Sequence, residues 1–199
     1  KDLQSGTIRL PAYRALYLDH ILKEGPGITY YRDQLFKSMV RAVKTVEDSD
    51  EPVPARFEAI LREYQKTGFR WMKTLDKCGF GGILADDMGL GKTIQVIALF
   101  EDTYSSGEKA PSLVVCPASL VYNWEQEIQK FAPDLKVRSV VGTGPQRLEL
   151  LEKIKEDPSG CQILITSYDL LKRDIAHYEG IDFRFQIIDE AQYIKNATT

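Results

Sequence analysis

An α/β fold with a mostly parallel sheet, preceded by an N-terminal helical segment, is what this 199-residue sequence predicts. Three observations predict it. An apolar run, Gly82-Ile83-Leu84-Ala85, leads into a glycine-spaced turn and then Lys92-Thr93 at the head of an apolar, helix-compatible stretch. Far downstream, Phe185-Gln186-Ile187-Ile188 ends in the adjacent carboxylates Asp189 and Glu190. Between them, short valine- and isoleucine-rich runs alternate with amphipathic stretches, which is how a parallel sheet covered on both faces reads in sequence.

In chain order, Ala12, Ala15, Leu16, Ile21 and Leu22 fall at helical spacing over 12–23, with Pro11 suited to the first turn and Gly25-Pro26-Gly27 as the stop. A second helix is expected over 30–46, where Leu35, Phe36, Met39, Val40, Val43 and Val46 make one apolar face. The acidic stretch 47–52 then reads as a linker, dividing an N-terminal helical extension (1–52) from a nucleotide-binding lobe (53–199). Helices are expected over 57–61 and 64–75, a strand at Ile83, and a helix over 94–104. Ser112–Cys116 reads as a buried parallel strand, and Ser119 as the N-cap of a helix over 120–131 that Pro133 terminates. Strands at 137–141, 162–166 and 183–188 alternate with helices over 146–156 and 168–174, and Asp157-Pro158-Ser159-Gly160 is a turn.

The chemistry lies in two of these segments. Gly89 and Gly91 can take positive φ and turn several N–H groups onto one oxyanion at the mouth of a helix, so Asp87, Met88, Gly89, Leu90, Gly91, Lys92 and Thr93 form a candidate ATP-binding loop. Lys92 would supply a point charge to the β- and γ-phosphates, and the Thr93 hydroxyl a ligand to Mg²⁺. The strict loop pattern has glycine where this chain has Asp86. Asp189, at the end of an apolar strand, would hold Mg²⁺ through water, with Glu190 as general base for the attacking water. Lys92, Asp189 and Glu190 are thus the candidate catalytic residues, and Thr93 and Asp189 the candidate metal ligands, with ATP and Mg²⁺ as the implied nucleotide and ion. Gln65, just upstream of the loop, offers the donor and acceptor that an adenine edge requires.

Composition bounds the rest. Hydrophobic content of 43% and charged content of 28% are ordinary for a globular domain. A net charge of −3 and a pI near 5.5 argue against nucleic-acid binding through bulk electrostatics, so any DNA contact must be local. Cys78, Cys116 and Cys161 are widely spaced and read as reduced thiols, which points to a cytoplasmic, and if bacterial a nucleoid-associated, protein. His20 and His177 have no metal-ligand spacing, no apolar run approaches membrane-spanning length, and the N-terminus carries neither Met nor a signal pattern, so the chain begins as if cut from something longer.

With these residues in place, the sequence resembles the first RecA-like lobe of a Swi/Snf-type ATPase of bacterial type, a family of double-stranded DNA translocases within helicase superfamily 2. Ala85-Asp86-Asp87-Met88-Gly89-Leu90-Gly91-Lys92-Thr93-Ile94-Gln95 carries most of the resemblance and accounts for Asp86. The stretch 116–127 is similar to motif Ia, 165–171 to motif Ib, and 189–196 to motif II. The resemblance implies adenine recognition at Gln65, phosphate and Mg²⁺ binding at the loop, and hydrolysis at Asp189 and Glu190. It also implies a track for one DNA strand lined by Pro117, Ala118, Ser119, Thr166 and Ser167, and a coupling role for Gln192, where many relatives have His. Such a track contacts phosphates and reads no bases. For the DNA-track residues, simple helix capping is the competing reading.

The function so implied is that of an ATP-driven translocase on duplex DNA that remodels protein–DNA complexes, partnered by a second RecA-like lobe of the same protein. The protein it displaces is not readable, and no membrane partner is implied. Two alternatives stay open: a strand-separating helicase of the same superfamily, and a non-catalytic module that binds ATP as a switch. Because the sequence stops just past motif II, the isolated piece is expected to bind nucleotide and hardly turn it over. The strands of Ile83 and Ile187 are expected either to pair directly or to have the gap between them filled from elsewhere.

Overall fold

The structure, a computed structural model, describes residues 14, 17, 19–21, 33–44 and 50–194. Of the expected helix over 12–23, residues 17 and 19–21 are helical. Apart from residue 14, the rest of that helix, the stop at 25–27, both ends of the helix expected over 30–46, half of the acidic linker (47–49) and residues 195–199 lie outside the described residues. The helices are α1 (Gln34–Lys44), α2 (Ala55–Glu58), α3 (Glu63–Lys77), α4 (Lys92–Ser105), α5 (Val121–Phe131), α6 (Gly144–Glu156) and α7 (Tyr168–Tyr178). The strands are β1 (Ser112–Cys116), β2 (Val137–Ser139), β3 (Ile163–Ser167) and β4 (Gln186–Ile188), and 3₁₀ turns stand at Ala118–Leu120, Pro158–Gly160 and Ala191–Ile194. Two compact units result, Lys1–Gln95 and Val96–Thr199.

In the first unit the amphipathic helix α3 buries Phe69 and Leu75, and Phe57 of α2 and Leu61 are buried beside it in sequence. Helix α1 packs on α3. The run expected as a strand at Ile83 is not one. Residues 80–87 have no regular structure, and the Ile83 side chain is 84% exposed. Gly82 lies so tightly on α3 that a Cβ there would stand 2.3 Å from Leu75 and 2.5 Å from Trp71. The segment is therefore docked on a helix, and a strand exists only where a neighbouring strand takes up its N–H and C=O groups.

The second unit holds the sheet, in the order β2-β3-β1-β4 and parallel throughout. Strands β1 and β3 are buried along their whole length, as the central strands of a two-faced sheet must be. Leu113, Val115 and Leu164 point to one face, where they cluster with Leu151 and Ile154 of α6 and Tyr178 of α7. The opposite face meets α5, whose Glu125 accepts a 2.8 Å hydrogen bond from Ser139 of β2. Connections running toward β2 thus pass over one face and those running toward β4 over the other, as crossovers of a single hand require. Helices α6 and α7 are also tied by a buried, bidentate ion pair: Arg147 Nε and Nη2 reach the Asp174 carboxylate at 2.6 and 3.0 Å.

Strand β4 pairs with β1 alone, and its other edge meets no strand among the described residues. Direct pairing of the Ile83 and Ile187 segments is therefore absent: the first is not a strand, and the second is a sheet edge.

Candidate functional site

The loop before α4 has the backbone its sequence requires. Gly89 and Gly91 adopt φ of +82° and +74°, where a side chain would be strained, and at Gly91 a Cβ would also stand 2.5 Å from the Gln65 amide nitrogen. Three carbonyls of the loop are gripped. Lys92 Nζ donates to the carbonyls of Asp86 (2.7 Å) and Asp87 (3.0 Å). The Leu90 carbonyl accepts from Gln65 Nε2 (3.0 Å) and from the Tyr64 hydroxyl (3.1 Å). With three carbonyls gripped and a 14-residue helix starting at Lys92, the N–H groups of its first turn make a candidate anion-binding mouth.

Asp86, which replaces the glycine of the strict pattern, has its own task. Its carboxylate accepts from Gln95 Nε2 at 3.0 Å, so the start of the loop is fastened to the first turn of α4. Gln95 is fully buried, and its amide oxygen, which takes no N–H or O–H donor among the described residues, lies where a Cβ on Gly68 would be only 2.0 Å away. Gly68 on α3 is therefore a close-approach glycine that admits Gln95.

Gln65 behaves differently from the expectation placed on it. It is 7% exposed, its Nε2 is committed to Leu90, and its Oε1 accepts from the Arg62 backbone N–H at 2.9 Å, closing the start of α3. Both groups wanted for adenine are engaged within the chain. Met88 and Leu90 expose their side chains, so any contact they make to a phosphate comes from backbone N–H groups.

In the second unit, the C-terminal ends of β1, β3 and β4 share one edge of the sheet, as the registers of Cys116 with Ser167 and of Val115 with Ile188 require. Asp189 follows β4 directly, its N–H bonded to the Val115 carbonyl at 2.9 Å. One carboxylate oxygen accepts from Trp124 Nε1 (2.8 Å), the other from the Glu190 N–H (3.0 Å), and the Asp189 carbonyl accepts from the Tyr168 hydroxyl (2.5 Å). Glu190 is held at φ +54° and accepts a hydrogen bond from the Gln192 amide. Burial, reinforced by the negative charge of Asp189, pushes the Cys116 thiol and the Tyr168 phenol each up to about 12, so both remain protonated at neutral pH.

The five DNA-track candidates separate. Ala118 and Ser119 are exposed and Pro117 is half-buried, all in the turn that leaves β1. Thr166 and Ser167 are 0% and 3% exposed. The Thr166 hydroxyl donates to the Val140 carbonyl, and the Ser167 hydroxyl caps α7 by accepting from the Leu170 N–H. For these two, capping and packing describe the side chains. Ser119, read as an N-cap, is not one: the 3₁₀ turn intervenes, and no side chain caps α5. Sequence reasoning passed over Tyr64, Gln95, Trp124 and Tyr168 as site residues. The last three lie inside the motif phrases, but nothing in their spacing points to Asp86 or Asp189.

Comparison with known proteins agrees with this geometry. The SNF2-related domain matches residues 64–199, and the bacterial SNF2 helicase associated family matches residues 1–54. An uncharacterized ATP-dependent helicase of Mycoplasma pneumoniae is 40% identical over 206 residues, covering 98% of this chain and 19% of its own length. The chromatin-remodeling ATPase INO80 of Candida albicans is 40% identical over 158 residues, covering 74% of this chain and 11% of its own. Among solved structures, the Sulfolobus solfataricus SWI2/SNF2 ATPase core in complex with dsDNA superposes with a TM-score of 0.61 at 45% identity, over 70% of this chain and 28% of that one. This chain thus spans less than a fifth of the length of these curated relatives. Among the described residues no helix is long and apolar enough to cross a membrane. A RecA-like α/β lobe with a glycine-shaped anion loop and a carboxylate pair at the strand ends, matched over most of its length, places this chain in the SNF2-related family.

Proposed function

We propose that this chain is the ATP-binding lobe of a DNA-dependent ATPase that moves along duplex DNA and remodels protein–DNA complexes, acting with a second RecA-like lobe of the complete protein. The observation that carries the reading is the loop at 86–93, where two left-handed glycines and the start of α4 leave N–H groups for phosphate oxygens, and Lys92, with two of its three donors on the Asp86 and Asp87 carbonyls, keeps the third for them. Those groups fit a nucleotide triphosphate, and Thr93 adds a hydroxyl for the accompanying Mg²⁺. The donor set at Asp189 by itself also suits Mg²⁺: each carboxylate oxygen accepts one N–H and keeps a lone pair for a water of the ion's shell. Bound Mg²⁺ would neutralise charge on the phosphates. Glu190 would take the proton of the attacking water, with Gln192 orienting its carboxylate.

For adenine, Gln65 would have to exchange its bonds to Leu90 and Arg62 for the base, so nucleotide arrival and loop geometry are linked through one side chain. The DNA contact rests on Pro117, Ala118 and Ser119 at the exposed end of β1, and a cytoplasmic or nucleoid site of action follows from that partner. The matches to 1–54 and 64–199 support division of the chain into an N-terminal extension (1–52) and the lobe (53–199). ATP turnover of the complete protein, with and without duplex DNA, tests the reading. Lys92→Ala should abolish turnover, and Glu190→Gln should keep ATP binding while slowing hydrolysis by about 10² to 10⁴. Parental turnover in Glu190→Gln would remove the base assignment, and turnover indifferent to duplex would remove the translocase.

A further inference from the structure

Asp189 is held from two directions by side chains to which no role has been given. Trp124 lies on α5, directly after the 3₁₀ turn that contains the exposed Ala118 and Ser119, and is 3% exposed. A buried indole N–H finds some acceptor as a rule, and a backbone carbonyl would have sufficed. Here the acceptor is the Asp189 carboxylate itself, at 2.8 Å. With the Glu190 N–H on the other oxygen, the plane of the carboxylate is fixed. Tyr168 opens α7 at the end of β3 and donates to the Asp189 carbonyl, so the main chain of the same residue is fixed as well. Its ring stacks on Tyr193, with centroids 5.6 Å apart and planes at 14°, and the Tyr193 N–H returns to the Glu190 carbonyl at 3.0 Å. Thus β1, through α5, and β3, through α7, each send one aromatic donor to the residue that follows β4.

We propose that Trp124, seconded by Tyr168, is a positioning residue that transmits contact of a nucleic-acid phosphate with the 117–119 turn to the orientation of the Asp189 carboxylate. The inference rests on the functional reading above. Its physical basis is short and stiff. The turn and the indole belong to adjoining helical segments, so a shift of the turn moves the indole with it. A charge-assisted hydrogen bond at 2.8 Å weakens within a few tenths of an ångström, so the carboxylate must follow or lose its donor.

The experiment uses the complete protein and two variants that remove the aromatic donors, Trp124→Phe, which also loses ring volume, and the near-isosteric Tyr168→Phe, with Ser119→Ala as the probe of the turn. Trp124→Phe should lower DNA-stimulated kcat and raise the Mg²⁺ concentration needed for half-maximal turnover, each by about tenfold, while KM for ATP and duplex affinity stay within about threefold. Tyr168→Phe should act in the same direction by a smaller factor, and it carries the test should Trp124→Phe fail to fold. Ser119→Ala should weaken duplex binding by about fivefold and reduce stimulation in the parent, yet change stimulation no further in the Trp124→Phe background. Independent effects, multiplying in the double variant, would overturn the coupling, as would unchanged stimulation in Trp124→Phe or Tyr168→Phe. Loss of stimulation by DNA in the parent, or unaltered duplex affinity in Ser119→Ala, would instead overturn the functional reading at the turn and the coupling with it.

Discussion

Glu190, among the described residues, is the only non-glycine residue with left-handed φ, +54°. A side chain held there costs about 1 to 3 kcal/mol, and the surrounding bonds of Asp189 and Tyr193 hold it in place. Asn tolerates this region better than Glu. Glu190→Asn should therefore hold or raise the melting temperature while hydrolysis falls by about 10² to 10⁴, a trade of stability against activity readable by calorimetry and turnover on one sample. The Arg147–Asp174 pair gives a second prediction at this scale. The guanidinium beside Asp174 holds its carboxyl below the usual range, so its contribution to stability is complete above about pH 4 and is lost as pH falls through the folded value. Asp174→Asn should cost about 3 to 5 kcal/mol at neutral pH by leaving a buried guanidinium without its counter-charge, and that difference should shrink at pH 3 in denaturant titrations.

At the scale of elements, α3, the loop and α4 form a fastened set in which Gly68 admits Gln95 and Gln95 holds Asp86. Gly68→Ala would push the Gln95 amide out of a fully buried place and strip Asp86 of its donor. We expect a loss of about 1 to 3 kcal/mol, seen in thermal unfolding, together with a raised KM for ATP. The sequence announces the loop because glycine spacing and the following Lys-Thr are local requirements, and it announces β1 and β3 because strands buried on both faces are apolar throughout. Ile83 shows where such legibility stops: an apolar triplet resembles a strand, but whether it pairs depends on which edge is within reach, and Gly82 is docked on α3 instead. Ser167 and Ser119 show the same for side chains. Either hydroxyl could cap a helix: Ser167 directly precedes α7 and caps it, whereas the 3₁₀ turn before α5 takes up Ser119 and leaves it exposed. Gln65 was legible as important and not as internally bonded, since its partner Leu90 is brought to it by the turn of the loop.

For the molecule as a whole, the net charge of −3 and the burial of Thr166 and Ser167 leave one short turn as the proposed place of contact with a DNA backbone. The 199-residue chain should bind duplex weakly and without sequence preference, with about two phosphates neutralised and log affinity falling against log salt at a slope of about −2 in anisotropy titrations. A larger consequence follows from the outer edge of β4. Gln186 and Ile188 there are exposed beside a row of backbone groups that no strand among the described residues takes up. Such an edge is sticky: it can recruit an extended segment from any neighbour, so the solubility of this polypeptide should be limited by concentration long before its fold is limited by temperature. Sedimentation at rising concentration should reveal sheet-rich assemblies at temperatures where the fold is intact, and Ile188→Lys, a charged guard on that edge, should delay them without lowering the melting temperature.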